Sequence, residues 1–123
     1  MTRTRTILVL LLSCCALLPV PALPHHSFAI YDFRTLIPFD GVVVTLNFRN
    51  PHIQMTLRTV DTNGREQLID FVEGPPASMY TRNGLKPEQI APGTRITAVG
   101  SPQTQDPGKF YLRTIRLQDG SEY

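Results

Sequence analysis

From Leu36 onward this chain is a succession of short β-favouring runs cut by turn pairs, with almost no helical periodicity. Such runs bury one face only when they pair into a sheet, so the pattern predicts a mainly β protein. Asp40-Gly41 opens a run to Phe48 that places Val42, Val44, Leu46 and Phe48 on one face. Val43, Thr45 and Asn47 take the other. With Val44 and Leu46 read as core, Leu46→Ala is expected to cost about 2–5 kcal/mol. Asn50-Pro51 then interrupts the ladder, because proline has no amide hydrogen to donate. A second run, His52 to Val60, sets Ile53, Met55 and Leu57 opposite His52, Gln54, Thr56 and Arg58. Asp61-Thr62-Asn63-Gly64 is a hairpin signal, with Asn-Gly able to take positive φ.

The third run, Gln67 to Glu73, ends at Gly74-Pro75-Pro76. Ala77 to Asn83 is the one place for a short helix, stopped by Asn83-Gly84. Lys86 to Gly93 reads as a loop, Thr94 to Gly100 and Phe110 to Leu117 as two more strands, and Asp119 to Tyr123 as a polar tail. Three meandering strands, a short helix and two further strands are the order of a five-stranded OB-like β-barrel. A two-sheet sandwich is the alternative. The segment Leu23 to Pro38 is too mixed to assign.

The amino terminus reads differently. Arg3 and Arg5 precede an uncharged stretch from Ile7 to Leu18, and Val20-Pro21-Ala22 offers small residues for cleavage. These are the three parts of a secretory signal peptide, a signal helix over 1–22 that is removed on export. Its 12 uncharged residues fall short of the roughly 20 that span a bilayer. Thr4 separates the two arginines, which favours the general secretion route and a periplasmic destination. A lipid anchor on Cys14 is the competing reading, weakened by the apolar Ala16-Leu17-Leu18 that would follow it.

Cleavage after Ala22 leaves 101 of 123 residues, one domain over 23–123. Both cysteines, Cys14 and Cys15, go with the signal, so the mature chain has no disulfide, thiolate nucleophile or cysteine metal ligand. Losing Arg3 and Arg5 leaves ten basic residues against ten acidic ones. That balance argues against nucleic acid as a partner, and the mature chain has no membrane anchor.

Taken in order, His25-His26-Ser27-Phe28, Gly41-x-Val43, Asn50-Pro51-His52, Glu73-Gly74, Pro92-Gly93-Thr94 and Asp119-Gly120 resemble an uncharacterised family of exported bacterial proteins, domain of unknown function 6152. The resemblance covers nearly the whole mature chain and implies an exported OB-like barrel of Gram-negative bacteria. It implies no activity. One departure is Leu23-Pro24, which stands between the cleavage position and the first histidine.

The residues therefore carry the functional argument. His25, His26 and His52 are the chain's three histidines, and neutral imidazole is the commonest ligand for zinc and copper. Together, with Glu73 as a further donor, they make a candidate metal site. Adjacent histidines on an extended strand point to opposite faces, which counts against a simple three-histidine centre. Square-planar copper through the terminal amine is blocked, since Pro24 has no amide proton to lose. A non-metal ligand site would gather His52, Gln54, Asn50 and Glu73 at a barrel mouth. The bland alternatives are a strand corner at Asn50-Pro51-His52 and a helix-capping Glu73.

Ser27, Ser78, Ser101 and Ser121 lack the elbow and neighbouring base of a hydrolase, and Asp70 and Glu73 fall on opposite strand faces, away from paired-acid chemistry. Tyr80, Phe110 and Tyr111 offer stacking surfaces, whereas Arg49, Arg58, Arg113 and Arg116 read as a solvated surface. The expectation is a non-enzymatic exported module binding a small ligand or another exported protein. The alternative is a copper- or zinc-binding protein or metal-dependent enzyme.

Overall fold

The computed structural model describes residues 28–123; the segment read as a signal helix, His25 and His26 lie outside them. Five strands follow one another as β1 (Ile37–Asn47), β2 (Gln54–Val60), β3 (Glu66–Glu73), β4 (Arg95–Pro102) and β5 (Lys109–Arg116). One short helix, α1 (Ala77–Arg82), joins β3 to β4. The strands close in the order β1-β2-β3-β5-β4, with β4 pairing back to β1. The β3–β5 pair is parallel and the others antiparallel. This is the OB-like barrel the punctuation predicted, and closure leaves no open edge among the five strands.

The β2–β3 hairpin shows how the turn residues act. Asp61 Oδ1 accepts the amides of Asn63 (2.8 Å) and Arg65 (2.9 Å), and only Gly64 takes positive φ, at +79°. The Asn-Gly pair thus needs one left-handed residue, and glycine supplies it without a Cβ clash.

The faces of β1 require a correction. Val43 is 1% exposed and Val44 39%, the reverse of the predicted assignment. A β-bulge between Val43 and Thr45 inserts one residue against β2 and exchanges the faces. Beyond it, Leu46 and Phe48 pack against the core as expected. Before it, Gly41 faces inward, where a Cβ would lie 2.6 Å from the Arg58 carbonyl oxygen.

The interior is one apolar cluster that includes Met55, Leu57, Ile69, Phe71, Ile96, Leu112 and Ile115 from the strands. Ala77 and Tyr80 of α1 join it, as do Leu85 and Ile90 from the connection to β4. Ile90 ends a 3₁₀ turn over Pro87–Ile90, within the segment read as plain loop. Each fully buried aliphatic or aromatic side chain contributes about 1.5–3 kcal/mol. The exposed pairs Arg58–Glu66 (4.0 Å), Lys109–Asp106 (3.2 Å) and Arg116–Glu122 (2.6 Å) contribute at most about 1 kcal/mol each. Burial, not surface charge, holds the barrel.

The carboxyl-terminal residues also differ from expectation. Instead of a free polar tail, Tyr123 exchanges both backbone hydrogen bonds with Ile115 at 2.9 Å, and its ring packs on the core. No described helix is long and apolar enough to cross a membrane.

Candidate functional site

On β3 Ile69 and Phe71 face inward; the ladder to β5 then shifts register, and the strand ends level with Tyr111 at Glu73. Its side chain is only 14% exposed. Strand β2 runs antiparallel, with Met55 opposite Phe71, which brings the residues before β2 alongside Glu73 and Gly74. The Ile53 amide donates to the Pro75 carbonyl at 3.1 Å and fastens that approach. His52 is placed here. Its Nδ1 lies 2.9 Å from the Gly74 carbonyl oxygen and its Nε2 3.5 Å from Glu73 Oε1. A carbonyl oxygen can only accept, so Nδ1 carries a hydrogen.

The other carboxylate oxygen is held by the strap that precedes β1. Tyr31 donates its hydroxyl to Glu73 Oε2 at 3.0 Å and receives Gln103 Nε2 at 3.3 Å. Backbone pairing fixes this strap on the β4 end. The Asp32 amide donates to the Pro102 carbonyl (2.9 Å), and the Thr104 amide to that of Ile30 (2.8 Å). Tyr111, paired with Glu73 across the parallel β3–β5 ladder, sets its ring edge-on to Tyr31, Phe33 and Phe28 at centroid distances of 5.3, 5.2 and 5.9 Å. The Arg113 guanidinium lies over the Phe33 ring, 4.9 Å from its centroid.

Burial pushes the Tyr31 hydroxyl above its ordinary range; the Gln103 hydrogen bond opposes this and Glu73 reinforces it. Tyr111 is raised in the same way, by burial first and then by the Glu73 charge, with Arg113 opposing. Both phenols are therefore neutral donors across the physiological range. What results is a walled polar cluster: a desolvated carboxylate, an oriented imidazole and a phenol donor beside an aromatic shelf. Glu73 Oε1 is buried and accepts no hydrogen bond from a described residue.

Of the four residues proposed for a non-metal ligand, His52 and Glu73 meet and the other two do not. Gln54 lies on the outer face, accepting from Asn47 Nδ2 (3.1 Å) and donating to the Val72 carbonyl (3.0 Å). Asn50 Oδ1 accepts the Ser78 amide at 3.0 Å, so Asn50, rather than Glu73, serves the first turn of α1. Asp70 bonds Thr56 on the outside and is not paired with Glu73. Two of the expected stacking residues are core instead, Tyr80 at 0% and Phe110 at 5% exposed. Tyr31 and Gln103 were not singled out from sequence, although three aromatics between Phe28 and Phe33 are a signal that this segment packs on something. Among the described residues no three histidine, cysteine or acidic side chains converge. The remaining metal candidates, His25 and His26, lie outside them.

One family, described as a family of unknown function (DUF6152), matches residues 12–109. The match spans most of the chain and stops short of Asp119-Gly120. No curated protein and no solved structure matches.

Proposed function

The chain belongs to the DUF6152 family, and from that premise, which carries no activity, we propose that it is an exported periplasmic binding module that works without catalysis. The ligand site is the barrel end where His52, Glu73 and Tyr31 converge beneath the aromatic shelf. One observation carries this reading: Glu73, at the end of β3, keeps a buried oxygen that accepts no hydrogen bond from a described residue. Buried carboxylate oxygens are normally satisfied, and one that is not marks a place for a ligand or ion. Export is supported by the charged head, apolar stretch and small-residue end of residues 1–22. The charge balance without Arg3 and Arg5 favours a small ligand or another exported protein over nucleic acid.

A second reading is a copper- or zinc-binding protein, or a metal-dependent enzyme, using His25, His26 and His52. It draws support from His52, whose imidazole is already oriented through Nδ1.

Native mass spectrometry of the protein recovered from the periplasm of producing cells tests the first reading. The expected spectrum is a chain beginning at Leu23 that carries a non-covalent adduct. A His52→Ala/Glu73→Gln variant should lose the adduct. An adduct-free wild type, or an adduct that survives in the variant, would overturn the site, and an intact signal segment would overturn the export.

A further inference from the structure

We infer that the cleft between the β1–β2 connection and α1 binds a small phosphate monoester through Arg49, Arg82 and Ser78. This site goes beyond the binding reading above, and its lining shares no residue with the His52, Glu73 and Tyr31 cluster.

Two hydrogen bonds assemble the cleft. The Ala77 amide donates to the Arg49 carbonyl (3.4 Å), and the Ser78 amide to Asn50 Oδ1 (3.0 Å). They hold the chain that leaves β1 against the start of α1. Helical spacing puts Ala77, Ser78, Thr81 and Arg82 on one face of α1. With Phe48 and Arg49 they line an open hollow of about 560 Å³. Because both amides are already taken, recognition here falls to the side chains.

Charge decides the class of ligand. Residues 47–54 and 74–87 hold Arg49, His52, Arg82 and Lys86 and no acid, in a chain with ten acidic residues. The Arg49 and Arg82 guanidiniums are exposed and meet no carboxylate among the described residues. A second arginine-lined hollow makes the contrast. There Arg58 and Arg95 stand with Asp40 and Glu66, and Arg58 reaches Glu66 at 4.0 Å. That hollow neutralises itself, whereas the cleft beside α1 keeps two uncompensated positive charges.

A phosphate monoester carries about −1.5 to −2 charges at neutral pH and three terminal oxygens. These match two guanidinium forks and the Ser78 hydroxyl, which makes no hydrogen bond to a described residue. A carboxylate brings one charge and two oxygens, and would leave one arginine unmatched. The hollow is also of the size that takes small organic ligands, roughly 300–1,000 Å³, so the ester group has room beside Phe48. Its concave form suits a soluble molecule rather than a flat membrane.

Isothermal titration of the purified chain with glycerol 3-phosphate at neutral pH tests the inference. The cleft is open, so its occupant exchanges during purification and is added back. The wild type should bind one molecule per chain. Arg49→Gln and Arg82→Gln should each weaken binding by at least about tenfold, and the double variant should give no binding heat. Both side chains are exposed, and circular dichroism checks that the variants keep the fold. Arg58→Gln, in the self-neutralised hollow, should bind as the wild type does. Glycerate, with a carboxylate in place of the phosphate, should bind at least about tenfold more weakly.

No binding by the wild type at millimolar ligand, undiminished affinity in the double variant, or equal affinity for glycerate would overturn the inference. So would an equal loss in Arg58→Gln, which would mean diffuse attraction to surface arginines. Capture of the chain by phosphatidic acid vesicles, with no response to glycerol 3-phosphate, would overturn the soluble ligand in favour of a membrane surface.

Discussion

Glu73 is a largely buried carboxylate at the end of β3, and its neighbours are arranged to make that tolerable. Tyr31 donates one of the few hydrogen bonds that reach this carboxylate. Removing the hydroxyl in Tyr31→Phe should therefore cost about 1.5–3 kcal/mol in denaturant melting. A cost below about 0.5 kcal/mol would mean that solvent satisfies Oε2 equally well. Tyr80 is the opposite case. Its hydroxyl is buried in the core without a hydrogen-bond partner among the described residues, and burial raises its titration well above the ordinary 10.0. A raised folded-state value means that this group's contribution is fully present below pH 10 and is lost as pH climbs towards the folded value. Tyr80→Phe should leave stability at pH 7 unchanged or raise it by about 1 kcal/mol, and should flatten the alkaline fall above pH 10. Stability–pH curves for the two proteins measure both effects; a destabilised Tyr80→Phe at pH 7 would reveal a partner for the hydroxyl.

At the scale of elements, β1 carries the sharpest contrast. Val43→Ala should cost about 1–3 kcal/mol, because it empties a filled part of the barrel. Val44→Ala, one residue on and facing out, should stay within about 0.5 kcal/mol. Equal costs in urea melts would deny the bulge. Gly41→Ala should also destabilise, by about 1–3 kcal/mol, since the added methyl meets the Arg58 backbone rather than a yielding side chain. The five strands and α1 were legible in sequence because turn chemistry is local: Asp61 to Gly64, Gly74-Pro75-Pro76 and Asn83-Gly84 each end an element by their own backbone preferences. The bulge was not legible. Val42, Val43 and Val44 are chemically equivalent, so nothing local shows where the extra residue enters the ladder. Half of the site was legible too. His52 stood out as a histidine after a strand-breaking proline, and Glu73 as an acid at a strand end. Their partners Tyr31 and Gln103 are separated by 72 residues and meet only through closure, which no short motif records.

For the molecule as a whole, closure is what joins these scales. The parallel β3–β5 pair sets Tyr111 beside Glu73, the β4 end anchors the strap that carries Tyr31, and the hairpin register returns His52 to the same end. Four segments distant in sequence thus surround one carboxylate. A scaffold held by burial can keep such a group desolvated. Surface ion pairs at the margins could not, since solvent screens them. The most direct test is a crystal structure of the protein recovered from the periplasm with whatever it carries still bound. Density for a bound ligand within hydrogen-bond reach of Glu73 Oε1, beside His52 and Tyr31, is expected. Ligand density only elsewhere on the barrel, or none at this site, would contradict it.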